Sequence, residues 1–113
     1  MAREPQNYTH NNQLSTSAEN IIAAVASNTK EIVRKLSFTN TNTTTVRTVT
    51  VYIVETSGTA DTGTTLKVKA ISPNKTWNCI EAQGETLTTG MSLQAKQDTG
   101  TDVNANCSGT QVT

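Results

Sequence analysis

The sequence predicts an all-β fold: an antiparallel sandwich of two sheets, Ig-like or jelly-roll-like, with about eight strands. Three observations predict it. Residues 46–54, VRTVTVYIV, alternate Val49, Val51 and Ile53 with Thr48, Thr50 and Tyr52, the period of two that a half-buried strand requires. At about 3.3 Å per residue this stretch spans about 30 Å, the width of a small domain, so it reads as a central strand. Thr, which favours strands, occurs 23 times beside 11 Asn and 8 Ser, which favour turns. Turn signals then recur about every ten residues along the rest of the chain, the spacing of a sandwich or barrel.

The elements follow in order. Residues 1–12 are polar, contain Pro5 and lack periodicity, so they read as a flexible arm that orders by lying across a neighbour, with the sandwich domain over 13–113. A short first strand is expected at 13–17. Residues 17–26 combine an imperfect capping box at Ser17 and Asn20 with Ile21, Ile22 and Val25, and read as strand rather than helix. Ser27, Asn28 and Thr29 make a turn. From Lys30 to Thr39, Ile32, Leu36 and Phe38 share a face with Arg34, which must lie at an edge, snorkel or find a carboxylate. The polar link 40–45 then joins this strand to the central one as a hairpin. After a loop at 55–63, Leu66, Val68 and Ala70 are expected inward and Lys67 and Lys69 outward, where alternate lysines discourage edge pairing. Short strands follow at 76–80, 91–96 and 103–108, separated by turns at 72–74, 83–85 and 98–102. The expected core is Phe38, Val49, Val51, Ile53, Leu66, Val68, Trp77, Met91, Leu93 and Val103.

Composition bounds the function. Leu, Ile, Val and Phe number 21 of 113 residues, so the core is lean, and burial against identical copies would add what a lone domain lacks. Nine basic and nine acidic residues cancel, which argues against a nucleic-acid partner, since phosphate neutralisation needs surplus cations on one face. The longest apolar run, Ile21 to Ala26, is far short of the ~20 residues that span a bilayer, and the first twelve residues lack the apolar core of a secretory signal. The expected compartment is therefore reducing, and Cys79 and Cys107 are read as buried thiols, with an inter-strand disulfide as the alternative.

No catalytic, cofactor-binding or metal-binding residue is expected. Asp61-Thr62-Gly63 and Asp98-Thr99-Gly100 repeat the triplet of aspartic proteases, whose two carboxylates share a proton. Here the triplets follow polar residues instead of a hydrophobic strand, so they read as loops. Asp98 and Asp102 flank a glycine but offer two carboxylates where calcium takes six or more oxygens. His10, the sole histidine, has no nucleophile or ligand partner near it in sequence. The glycosylation triplets at Asn7, Asn42, Asn74 and Asn106 are read as chance in an Asn- and Thr-rich chain.

Taken together, residues 30–41 (KEIVRKLSFTNT), the long strand, Gly84-Glu85-Thr86-Leu87, Gly90-Met91-Ser92-Leu93 and the closing 103–109 (VNANCSG) resemble the small β-sandwich virion structural proteins of tailed bacteriophages. The resemblance covers about residues 13–112. It implies a non-enzymatic virion component assembled in the bacterial host cytoplasm, a capsid decoration or cement protein whose partners are the major capsid protein and copies of itself, trimer favoured over dimer. A tail, collar or fibre position, or a glycan-binding module, is the alternative.

Overall fold

The computed structural model of the chain describes residues 2–113, with the side chains of His10 and Asn11 outside that description. Nine strands are present among the described residues: β1 Arg3–Gln13, β2 Glu19–Ile22, β3 Lys30–Asn40, β4 Arg47–Val54, β5 Thr65–Ile71, β6 Thr76–Asn78, β7 Thr86–Leu87, β8 Ser92–Gln97 and β9 Val103–Val112. They form two antiparallel sheets. One runs β1-β9-β3-β6, with β7 also paired to β3, and the other runs β2-β8-β4-β5. Most connections cross from one sheet to the other, and this strand order is that of a jelly roll, which decides against the Ig-like arrangement.

Inward residues of both sheets meet in one core. Phe38, Val49, Val51, Leu93 and Val103 are fully buried as expected, joined by Leu14, Val33, Leu36, Leu87, Ala95 and Ala105. Ile53, Leu66, Trp77 and Met91 are partly buried and pack on this cluster, and Trp77 stacks on its cross-strand partner Phe38 with ring centroids 5.5 Å apart.

Four sequence expectations are corrected. The first is Val68, which is 53% exposed. In the register of β5 on β4, Lys67 lies opposite Val51 and Lys69 opposite Val49, so the lysines, not Val68, stand on the core side. Because β5 is an edge strand, their stems run along the open flank while the ammonium groups reach water, and Lys67 Nζ meets Glu81 Oε2 at 3.6 Å.

The second concerns β3. A bulge between Val33 and Lys35 changes the phase of the strand, so Glu31 and Val33 point inward before it and Leu36, Phe38 and Asn40 after it. Arg34 thereby leaves the core face and donates from Nε to Thr110 Oγ1 at 3.5 Å. Third, β3 and β4 are not a hairpin, since they lie in different sheets. The link between them crosses the sandwich and is shaped by Asn42, whose Oδ1 accepts from the backbone N–H of Thr44 and Thr45, both at 2.8 Å. The hairpin is β4–β5.

Fourth, the segment expected as an arm is, from Arg3 on, the eleven-residue edge strand β1 paired along β9. Its ladder uses backbone groups while most of its side chains stay in solvent, so pairing leaves no hydrophobic period to read.

Candidate interaction surfaces

The residues that suggested chemistry in the sequence are engaged in holding loops. Asp61 caps the turn Thr62–Thr64: its Oδ1 accepts from Gly63 N at 2.9 Å, and Thr64 Oγ1 accepts from Asp61 N at 2.9 Å, a reciprocal capping box. Asp98 lies at the other end of β4, where its N–H donates to Thr48 O at 2.9 Å and its Oδ1 accepts from Thr99 N at 2.9 Å. Six residues of strand separate the two ends, about 20 Å, so these carboxylates cannot share a proton.

Asp102 is likewise committed. Its Oδ2 accepts from Arg47 Nε at 2.8 Å and from Asn42 Nδ2 at 3.2 Å, and the bonds from Asn42 and Arg47 hold the carboxyl below its ordinary value. Beneath it, buried Gln97 accepts from Asp102 N and donates to Leu14 O, while buried Asn40 donates to Thr45 O and Ile71 O at 2.9 Å each and accepts from Asn42 N at 3.0 Å. This polar network welds the loops at one end of the sandwich. Among the described residues no group of three or more His, Cys, Asp or Glu is placed to hold a metal ion, and the His10 side chain lies outside them.

Cys79 and Cys107 are free and buried. Cys79 N bonds Leu36 O, and Leu36 pairs with Cys107, so β3 lies between the two cysteines. Two strand spacings, about 9.5 Å, exceed the ~7 Å between Cα atoms that a disulfide tolerates. Burial pushes the thiols up, to about 11 for Cys79 and about 12 for Cys107.

What faces outward is a polar surface and four blunted edges. On the outer side of the first sheet, Asn7 lies opposite Ser108 and Ser108 opposite Lys35, with Ser37 beside Asn106 and Thr39 beside Asn104 in successive rows. At the edges, β2, β6 and β7 are only two to four residues long, and β5 carries its lysines. The edge of β1 is blunted by Pro5. Ala2 and Thr113 exchange both backbone hydrogen bonds, so by alternation Pro5, opposite Thr110, occupies a non-bonded pair. Its missing N–H therefore costs β9 nothing and removes a donor from the free side.

The flank between β1 and β2 holds a further arrangement that sequence reasoning missed. A bulge between Asn7 and Thr9 makes Tyr8 the extra residue of β1 and turns its ring over Gly109 of β9. The Tyr8 hydroxyl and Glu31 Oε1 are both buried without a well-formed hydrogen bond, and Glu31, itself 5% exposed, acts on the phenol from β3 across Gly109. Burial, then the neighbouring carboxylate, raises the phenol above its ordinary value. A shallow groove of about 450 Å³ adjoins this point, lined by Tyr8, Thr9, Asn12, Asn20, Ile21 and Ala23. The signal that could have found the site is Gly109 itself, an isolated glycine inside a strand pattern, which marks a close backbone approach.

Comparison with known proteins extends the fold. A solved Bacillus endospore appendage protein, from a family described as disulfide-linked pili, shares 12% identity at a TM-score of 0.54, covering 99% of this chain and 87% of that one. Two structures of infectious bursal disease virus, of the Gx strain and of the VP2 subviral particle, align at 14% identity with TM-scores of 0.41 and 0.42, and this chain spans about a third of their length. At these identities the likeness bears on the fold. No family model and no curated protein matches.

Proposed function

We propose that the chain is a non-enzymatic structural subunit that associates with copies of itself and reinforces a larger protein assembly, in the first instance as a decoration or cement protein on a tailed-phage capsid. The observation that carries the reading is where the polar groups go. Aspartates and amides that could have served chemistry are spent on loop caps and a closed network, leaving an Asn-, Ser- and Thr-lined face suited to packing against protein. The pilus likeness supports a building-block role, and the lean core supports a homo-oligomer, a trimer before a dimer.

A glycan-binding module is the second reading, favoured by a polar groove of about 320 Å³ on that same face, between Asn7, Lys35, Ser37 and Asn106. Among the described residues no aromatic ring lines it. Tyr52 is buried and Trp77 is stacked on Phe38, so neither offers a sugar-stacking platform there.

Electron microscopy of purified virions tests the assignment. Copies spread over the whole shell are expected. A few copies at one vertex would move the protein to the tail or collar, and its absence from the particle would refute the virion role.

A further inference from the structure

We infer that β1 is an exchangeable strand: in the assembled form, residues 2–9 of one copy lie on the β9 edge of a neighbour, with Tyr8 seated over the neighbour's Gly109 beside its Glu31. The inference rests on the reading of the chain as a self-associating subunit and names the contact by which it associates.

Four observations lead to it. Apart from Tyr8, whose hydroxyl is buried, the described side chains of β1 are exposed or half-exposed, so the strand is held chiefly by backbone pairing that is identical whether the partner β9 is its own or another copy's. Beyond the ladder, residues 2–9 are tied to the body by the packing of Tyr8 and the Thr9 Oγ1 bond to Ile21 O, whereas the chain is anchored in the core from Leu14 on. Leu14 is fully buried and its N–H donates to Val103 O, Ser15 O accepts from Gln97 N, and Leu14 O accepts from the Gln97 side chain. Moving the first residues therefore leaves the core in place, with the pivot at the register break between Thr9 and Asn12. The β9 edge, in contrast, cannot be left open: without β1 it would present a long run of unpaired backbone and uncover the buried Glu31 carboxylate. Finally, Pro5, the short strands and the β5 lysines obstruct simple edge-to-edge growth, which leaves exchange as the way for two copies to share a sheet.

The lock is specific. Only a glycine at 109 admits the ring, because a Cβ there would stand 2.9 Å from Tyr8 Cε2. Tethering favours the strand's own β9 in a dilute monomer, at an effective concentration in the ~millimolar range. In an assembly the neighbours are held at comparable local concentration, and exchange then joins subunits without a new kind of contact.

The test is a cross-strand disulfide in the full chain. Pro5→Cys and Thr110→Cys face each other at a non-bonded pair, where Cα atoms approach closely, and the native thiols are buried. Oxidised in the oligomer, the double variant is expected to run on a denaturing non-reducing gel as a ladder of linked chains. An oligomer that is intact by light scattering yet runs wholly as oxidised monomer would overturn exchange while leaving self-association standing. A protein that is monomeric at every concentration and cross-links only within the chain would overturn both. The wild-type chain is tested in parallel by mixing isotopically heavy and light protein before assembly and sequencing cross-linked peptides. Mixed pairs joining the β1 and β9 peptides are expected, and pairs of a single isotope alone would overturn the inference.

Discussion

Replacing Gly109 with Ala probes the closest approach in the fold. A Cβ at this position would lie 2.0 Å from the carbonyl oxygen of Ile32 and 3.1 Å from its carbon, in addition to its contact with Tyr8. Ordinary C···O contacts begin near 3.3 Å, so β3 must move by more than 1 Å relative to β9. The obstacle is backbone within the sheet, next to the β3 bulge, and cannot rotate away as a flexible side chain could. Overpacking of this kind costs about 1–3 kcal/mol, and loosening one or two ladder bonds adds about 1 kcal/mol each, for a loss of about 2–5 kcal/mol. With an unfolding entropy of about 2.1 cal/mol/K per residue, such a loss lowers Tm by roughly 8–21 °C. Urea and thermal unfolding followed by circular dichroism measure both. Gly84→Ala is the control: its φ of 85° is unfavourable for alanine but nothing lies within 4 Å, so about 1–2 kcal/mol is expected from conformation alone. If Gly109→Ala stays within about 1 kcal/mol of wild type, the approach of Ile32 to Gly109 is not a constraint and the reasoning fails.

Three further outcomes are expected. Asn40→Ala strands the carbonyls of Thr45 and Ile71 and the N–H of Asn42, and should cost about 2–4 kcal/mol in urea denaturation, a loss below 1 kcal/mol contradicting the network. Asp102 has a carboxyl held below its ordinary value of 3.8, so its contribution to stability is complete above that value and is lost as pH falls through the lower folded value. Asp102→Asn should therefore show a shallower loss of urea midpoint than wild type on acidification below pH 3.8, and parallel profiles would disprove the linkage. The raised, buried thiols of Cys79 and Cys107 should resist iodoacetamide at neutral pH in the native protein and both react once it is unfolded; rapid native labelling of either would contradict its burial.

Local side-chain chemistry made much of this protein readable from its sequence. The alternation in β4, β8 and β9 identified those strands and put Val49, Val51, Leu93 and Val103 in the core, because burying one face of a pleated strand imposes a period of two on the residues themselves. Asn28, Asn74 and Gly84 marked turns for an equally local reason, each having positive φ in the structure. The two Asp-Thr-Gly triplets were also legible as loops from their polar surroundings. Tertiary structure decided the rest. Alternation says that a strand has two faces but not which sheet it joins, so the crossing from β3 to β4 and the jelly-roll order came from packing. The one-residue bulge in β3 reversed its faces, bringing Glu31 inward and releasing Arg34, and the register of β5 put Lys67 and Lys69 on the core side of an edge where long stems still reach water. β1 left no trace in its side chains because backbone pairing with β9 holds it. The meeting of Tyr8, Gly109 and Glu31 depends on three strands lying side by side, and that proximity belongs to the sheet and to no segment of the chain.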